Sequence, residues 1–174
     1  MDPMKERLEL PSGAVYEGET KDGKPDGKGV LTSSRGVVYD GYFKNGKKHG
    51  EFTVRTTRGK IISCEFEKDE QRSLGTVHYP NGDVYEGFLV DMVAEGNGTL
   101  RTSDGTVYRG HFRDDLFDGM DCDVFYPNGD TYKGDFINGE AFGPGVYTKD
   151  GTEMSGEAAG GMFTADDGTA FKIR

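Results

Sequence analysis

Two kinds of residue pattern in this chain could support catalysis, and both are incomplete. The histidines His49, His78 and His111 lie far apart, and their surroundings do not assign a nucleophile, a base and an orienting group together. The segments from Gly18 to Lys24 and from Gly41 to Lys47 fit Gly-x-x-x-x-Gly-Lys. Neither has the Ser or Thr that binds Mg²⁺, and neither opens a helix that could receive phosphate. We therefore predict no catalytic residue, no bound nucleotide and no other cofactor.

Candidate metal ligands are also unsuitably spaced. An acidic cluster consists of Asp114, Asp115, Asp118, Asp121 and Asp123. It lacks the spacing and the closing glutamate of an EF-hand, which favours a solvated loop over a calcium site. Cys64 and Cys122 are at no metal-binding spacing and indicate unpaired thiols in a reducing compartment. The sequence therefore predicts no metal site.

The elements that would position any site follow a repeat. A tyrosine that lies two residues before a glycine recurs along the chain. The pairs are Tyr16 with Gly18, Tyr39 with Gly41, Tyr85 with Gly87, Tyr108 with Gly110, and Tyr132 with Gly134. The usual step is 23 residues, and Ile62 with Cys64 takes the position of the missing pair. Since a unit of this length cannot bury its own apolar surface, neighbouring units must pack together.

Each repeat has the pattern of a β-hairpin. The segment from Tyr39 to Phe43 alternates with a period of two, which is typical of a strand. Dipeptides such as Asn45-Gly46 and Asn138-Gly139 supply positive φ at tight turns. The sequence therefore predicts an all-β fold, an elongated, twisted, single-layer antiparallel sheet of consecutive β-hairpins with a repeat of about 23 residues. A ring from an adjacent repeat is expected to cover each glycine that follows a tyrosine.

The pattern Tyr-x-Gly-x-Phe, followed by Asn-Gly and then by His/Asp-Gly-x-Gly, strongly resembles the MORN repeat (membrane occupation and recognition nexus). The segments Tyr16 to Gly29 and Tyr39 to Gly50 match it closely, whereas the third repeat departs from it at Ile62, Cys64 and Ser73. The resemblance implies an all-β scaffold without a catalytic domain, whose concave face holds a partner peptide or helix. It also implies cytoskeletal, ciliary or membrane-proximal assemblies. Phospholipid binding is an alternative suggested by the family name, and the net charge of −10 disfavours it because anionic headgroups repel an acidic surface.

We divide the chain into three segments. Residues 1–12 form an N-terminal extension or cap, residues 13–153 hold about six repeats with a divergent third, and residues 154–174 form a shortened terminal repeat that acts as a cap. We expect no signal peptide, because the first residues contain no apolar run, and no membrane span. A cytoplasmic location is therefore predicted.

Charge is distributed unevenly along the chain. Residues 1–61 contain 12 Lys and Arg against 9 Asp and Glu, whereas residues 62–174 contain 9 against 22, and the net charge is −10. This balance disfavours nucleic acid, whose phosphates must be neutralised by Lys and Arg. The basic segment that could attract an anionic partner contains Lys44, Lys47, Lys48, Arg55, Arg58 and Lys60.

Aromatic side chains are the main candidates for contact with a protein partner, because an uncovered aromatic strip usually marks a binding surface. The candidates are Tyr39, Phe43, Phe66, Tyr85, Phe88, Tyr108, Phe112, Tyr132 and Phe136. Tyr42 and Phe88 directly follow a glycine and should face away from the other rings, as candidates for a second contact surface.

Three functions remain open. We favour a non-enzymatic protein-interaction scaffold, in which an aromatic, acid-rimmed groove binds a peptide or helix that carries basic residues. The alternatives are a peripheral phospholipid-binding adaptor that acts through Lys44 to Lys60, and a regulatory subunit of an enzyme on another chain. The unpaired strand edges at the two ends of the array also allow a homodimer through a terminal repeat.

Overall fold

The structure is a computed structural model that describes residues 4–173. The predicted N-terminal extension is therefore described from Met4 and the predicted C-terminal cap as far as Ile173, since residues 1–3 and 174 lie outside the described range. The described residues form strands and turns without a helix, which confirms the all-β prediction. They fall into two compact units, one ending at Pro80 and the other beginning at Asn81, a division that the sequence did not predict.

The first unit is an antiparallel sheet in which consecutive strands pair in chain order. Its strands are β1 (Met4–Glu9), β2 (Val15–Lys21), β3 (Lys24–Thr32), β4 (Val38–Lys44), β5 (Lys47–Arg55), β6 (Ile61–Glu67) and β7 (Glu70–His78). β1 belongs to the predicted extension and pairs with β2 along its length. The divergent third repeat folds as an ordinary hairpin, with Ile62 opposite Val77 and Cys64 opposite Gly75.

The second unit is also an antiparallel sheet of hairpins. Its strands are β8 (Val84–Val90), β9 (Val93–Arg101), β10 (Val107–Arg113), β11 (Leu116–Phe117), β12 (Gly119–Phe125), β13 (Thr131–Ile137), β14 (Glu140–Lys149), β15 (Thr152–Ala159), β16 (Met162–Ala165) and β17 (Ala170–Lys172). β11 and β12 both pair with β10, so one partner strand is interrupted at Asp118. The register of β12 with β13 also shifts between Gly119 and Cys122. The consecutive antiparallel hairpins of both units confirm the predicted strand arrangement.

Tight two-residue turns explain why these segments form hairpins. Asn45 and Gly46 have φ values of 51° and 82°, and Asp91 and Met92 have 49° and 67°. Positive φ at both turn residues is the type I′ geometry, whose twist matches that of the paired strands. The two residues that flank each turn then lie directly opposite each other, as Lys44 and Lys47 do. We call a turn and its flanking pair a hairpin tip.

The two faces of each sheet differ in burial. In β6, Ile62, Cys64 and Phe66 are buried and the intervening residues are exposed. We call the buried face, which carries the tyrosine positions, the ring face. The opposite face, here the polar face, carries the residue after each tyrosine position and its cross-strand partner. These pairs are Glu17 with Val30, Asp40 with Thr53, Ser63 with Thr76, Glu86 with Thr99, Arg109 with Asp123, and Lys133 with Val146.

Candidate interaction surfaces

Most of the aromatic residues predicted to contact a partner lie in the core instead. The buried ones are Phe43, Phe66, Tyr85, Phe112, Tyr132 and Phe136. Tyr39 and Tyr108 are half-buried, and Phe88 alone among the nine is exposed. The ring face is therefore not the uncovered aromatic strip that the sequence suggested, because its rings cover one another.

Edge-to-face contacts between rings bury this face. In the first unit the ring centroids of Tyr16 and Phe43 are 4.9 Å apart, and those of Phe43 and Phe52 are 5.3 Å apart. In the second unit Tyr85 and Phe112 repeat the contact at 4.9 Å. Such pairs are worth about 0.5–1.5 kcal/mol beyond the area they bury, so the ring face stabilises each unit and leaves little surface for a ligand.

Three tyrosines fit into a slot made by two glycines of their own repeat. Gly18 lies opposite Gly29, Gly87 opposite Gly98, and Gly134 opposite Gly145. A Cβ on Gly87 would lie 2.5 Å from the hydroxyl oxygen of Tyr85, and a Cβ on Gly98 would meet the ring of the same tyrosine. The expectation that a ring from an adjacent repeat covers the glycine is therefore wrong. Because the two glycines of a repeat lie directly opposite each other, the ring nearest to them is that of the tyrosine two residues before the first glycine.

In these slots the tyrosine hydroxyls are either hydrogen-bonded or buried. The hydroxyl of Tyr16 donates to the carbonyl oxygen of Glu19 at 2.6 Å, and that of Tyr85 donates to Phe88 at 2.8 Å. The hydroxyl of Tyr132 is buried without a partner among the described residues. Burial is the main cause that raises the pKa of each of these three tyrosines to about 12, so all three are neutral at physiological pH.

Two repeats fill the slot with a different side chain. Phe52 lies opposite Gly41, and a Cβ on Gly41 would be 2.6 Å from its ring. In the fifth repeat, a Cβ on Gly110 would be 2.7 Å from Sγ of Cys122. Because the slot is occupied, Tyr39 and Tyr108 lie outside it and are only half-buried.

The polar face of the first unit contains an open depression of about 820 Å³. Its charged lining residues are Lys28, Asp40, Glu51, Glu65 and Arg72. Leu74 also lines it and is 60% exposed, and Tyr42 lies on the same face of β4 and is 52% exposed. The depression therefore carries three acids against two bases, and Phe52 is the one ring of the buried face among its lining residues. The other rings that were predicted to line the groove belong to the opposite, buried face.

The polar face of the second unit has a smaller depression of about 480 Å³. Glu86, Arg109, Asp121 and Asp123 are its charged lining residues. Phe88 follows Glu86 on the same face of β8 and is 43% exposed. The orientation predicted for Tyr42 and Phe88, away from the other rings, is confirmed.

The six basic candidates do not form one patch. Lys44 and Lys47 lie at the tip of the β4–β5 hairpin, whereas Arg55, Arg58 and Lys60 lie at or beyond the other end of β5. The nine residues of β5 extend over roughly 26 Å, so the two groups cannot act on one small anion.

Three of the six cations already have partners within the first unit. The ammonium of Lys48 is 3.2 Å from the carboxylate of Asp69 and 5.0 Å from the ring centroid of Tyr39. A guanidinium nitrogen of Arg55 is 4.0 Å from Asp40, and Lys60 lies over the ring of Tyr79. The structure therefore gives no contiguous basic surface from Lys44 to Lys60. It instead brings Lys44 and Lys47 close to Lys21 and Lys24, two residues that sequence reasoning missed although both flank a recognisable two-residue turn.

The reactive side chains are dispersed or buried. His111 has Nδ1 at 3.0 Å from the carbonyl oxygen of Asp118, and His49 and His78 lie in other repeats. Cys64 and Cys122 are free and buried, and burial raises the pKa of the Cys64 thiol to about 11. Within residues 4–173, no three His, Cys, Asp or Glu side chains are grouped so as to hold a metal ion. The same residues include no helix with the length and apolarity needed to cross a membrane.

Comparison with known proteins matches one family model, and solved structures with a similar fold are also found. The model of the MORN repeat family matches residues 16–38, 39–51, 108–120 and 132–153. No curated protein matches the chain significantly. A similar solved structure is the SAS-4 (dCPAP) TCP domain of Drosophila melanogaster in complex with a proline-rich motif of Ana2 (dSTIL). It has 10% sequence identity and a TM-score of 0.48, over 90% of each chain.

Proposed function

Since this chain is a MORN-repeat protein, we propose that it is a non-enzymatic protein-interaction scaffold whose partner binds to the polar face of the first unit. One observation carries the proposal. Glu51 and Glu65 lie directly opposite each other on β5 and β6, and both line the depression that also exposes Leu74.

Like charges that face each other across a strand pair destabilise a sheet. Neither Glu51 nor Glu65 has a cationic partner within ion-pair distance in the described part of the chain. A basic side chain placed between them would relieve this repulsion, and an apolar side chain beside it would cover Leu74. We therefore propose a partner peptide or helix that carries both basic and apolar residues.

Affinity and specificity would come from different residues of this surface. Exposed apolar side chains such as Leu74 and Tyr42 provide area that leaves water on binding, which stabilises a complex in proportion to the area buried. The carboxylates mainly speed the encounter and select partners of opposite charge.

We also propose a cytoplasmic location in cytoskeletal, ciliary or membrane-proximal assemblies. The family resemblance supports the type of assembly, and the two unpaired, buried cysteines support a reducing compartment.

The test begins with the partner that the full chain captures from native cytosol, whose bound segment is then mapped and synthesised. The dissociation constant of that segment is measured for the wild type and for the variant Glu51→Gln/Glu65→Gln, with Leu74→Ser as a separate variant. We expect each variant to bind roughly fivefold to tenfold more weakly. Glu70→Gln/Glu140→Gln is the matched control, because it removes the same charge from exposed hairpin tips.

Unchanged binding in folded variants would place the contact elsewhere, and equal weakening in the control would indicate only a long-range charge effect. Turnover of a substrate by the purified chain would refute the scaffold itself. A captured enzyme whose rate changes on binding would favour the regulatory-subunit alternative.

A further inference from the structure

The tips of the first two hairpins carry four lysines in two directly opposed pairs. Lys21 lies opposite Lys24 on β2 and β3, and Lys44 lies opposite Lys47 on β4 and β5. All four side chains are exposed. Two like-charge pairs in consecutive hairpins are unfavourable for the sheet itself. They lie within residues 1–61, the part of the chain in which Lys and Arg outnumber Asp and Glu.

The two tips touch each other. The backbone N–H of Gly46 donates to the carbonyl oxygen of Pro25 at 2.8 Å, and the N–H of Asn45 donates to the carboxylate of Asp26 at 3.0 Å. A Cβ placed on Gly46 would lie 3.9 Å from Cβ of Lys24. Since adjacent strands are about 4.8 Å apart, the four lysines on β2 to β5 lie within about 15 Å of one another.

These lysines are not neutralised within the described residues. None of the four has a carboxylate within ion-pair distance. The next tip shows the contrast, because its opposed acids Glu67 and Glu70 are compensated by an ion pair between Glu67 and Arg72. The acids close to the lysines have other roles. Asp26 accepts the hydrogen bond from Asn45, and Asp22 is a turn residue with positive φ.

We propose that Lys21, Lys24, Lys44 and Lys47, here the lysine tips, form a binding site for an acidic peptide segment. The site goes beyond the proposed function, since its ligand has the opposite charge from the partner of the polar-face depression and its test is independent.

The arrangement favours a row of carboxylates over a single phosphate group. Phosphate sites are usually built from converging donors, with bidentate Arg or free backbone N–H groups. Here the cations are separate lysine ammonium groups, and the N–H groups of Asn45 and Gly46 already have acceptors. An extended peptide presents side chains on one side about every 6.8 Å, so glutamates at alternate positions would match the width of the four strands.

The test uses the full chain and a fluorescein-labelled peptide of alternating glutamate and serine, with a peptide of alternating glutamine and serine as the neutral probe. Fluorescence anisotropy at low ionic strength gives the dissociation constant, which should rise as salt is added. The variant Lys24→Gln/Lys44→Gln removes one lysine from each tip and should weaken binding of the acidic peptide roughly fivefold. The matched control is Arg35→Gln/Arg58→Gln, which removes the same charge from exposed loops of the same unit and should leave affinity nearly unchanged.

Four results would overturn the proposal. The first is no binding of the acidic peptide at low salt, and the second is an equal loss of affinity in the control variant. The third is that phosphatidylserine vesicles bind through the same lysines while the acidic peptide does not, which would assign the site to phosphate headgroups. The fourth is self-association of the wild type that Lys24→Gln/Lys44→Gln abolishes, which would assign the site to a second copy of this chain. Both variants change exposed side chains, and unchanged circular dichroism and unfolding curves would verify that they fold.

Discussion

Replacing Gly98 with alanine should destabilise the second unit, although alanine is ordinarily the better residue in a strand. A Cβ on Gly98 would lie 2.5 Å from Cζ of Tyr85 and closer still to two other atoms of that side chain. The ring cannot move away easily, because it is fully buried between this glycine, Gly87 and the ring of Phe112. Overpacking a buried site costs about 1–3 kcal/mol, whereas removing a strand glycine gains about 0.5–1 kcal/mol. We therefore expect a net loss of about 1–2 kcal/mol in the free energy of unfolding.

Urea unfolding followed by near-ultraviolet circular dichroism of the tyrosines measures this loss. Thr99→Ala is the control, because the next residue lies on the polar face outside the slot. The decisive comparison repeats Gly98→Ala in a Tyr85→Ala background, where the clash no longer exists and the substitution should be neutral or slightly stabilising. An equal loss in both backgrounds would refute the explanation, because contacting residues must show a coupling energy.

Three further predictions concern the ring face and its neighbours. Lys48→Gln should lower the free energy of unfolding of the first unit by about 1 kcal/mol. The substitution removes the ion pair with Asp69 and the contacts of the ammonium with the rings of Tyr39 and Phe66. An unchanged urea midpoint would contradict this prediction. The pKa values of Tyr16, Tyr85, Tyr132 and Tyr147 are raised to about 12 from the ordinary value of 10.0. The unfolded chain therefore ionises first, so stability should be constant below about pH 10 and fall as the pH rises towards 12. Ultraviolet titration would refute this expected pH dependence if all nine tyrosines of the folded chain ionised together near pH 10. Burial raises the pKa of both Cys64 and Cys122, so a disulfide reagent at mildly alkaline pH should label them slowly in the native chain and quickly in urea, and rapid native labelling would be inconsistent with the packing.

Much of the fold was predictable because local residue patterns specify it. The alternation around each tyrosine sets a period of two, and a change of one residue would exchange the faces of a strand. Dipeptides such as Asn45-Gly46 favour turns in which both residues have positive φ. These two signals are local, and they were sufficient for the hairpins, including the third repeat, where Ile62 and Cys64 replace the usual residues and remain buried.

The candidate site was predicted less well, because the pattern shows that two faces differ but not which one stays uncovered. The rings of Phe43 and Phe112 were expected to meet a partner, and both are instead buried by packing against Tyr16 and Tyr85. The lysine tips were within reach of sequence reasoning. A two-residue turn places its flanking residues opposite each other, so Lys21 and Lys24 could have been paired from the turn Asp22-Gly23.

The sequence by itself determined the repeat, the strands and the turns, since these depend on residue order over a few positions. Only the tertiary structure decided which side chain occupies each glycine slot. Tyr85 enters its slot because Gly98 lies opposite Gly87, whereas Tyr39 is displaced because Phe52 lies opposite Gly41. The reason is that occupancy depends on the volumes of side chains that meet across paired strands, and only their packing shows which of them fills the slot.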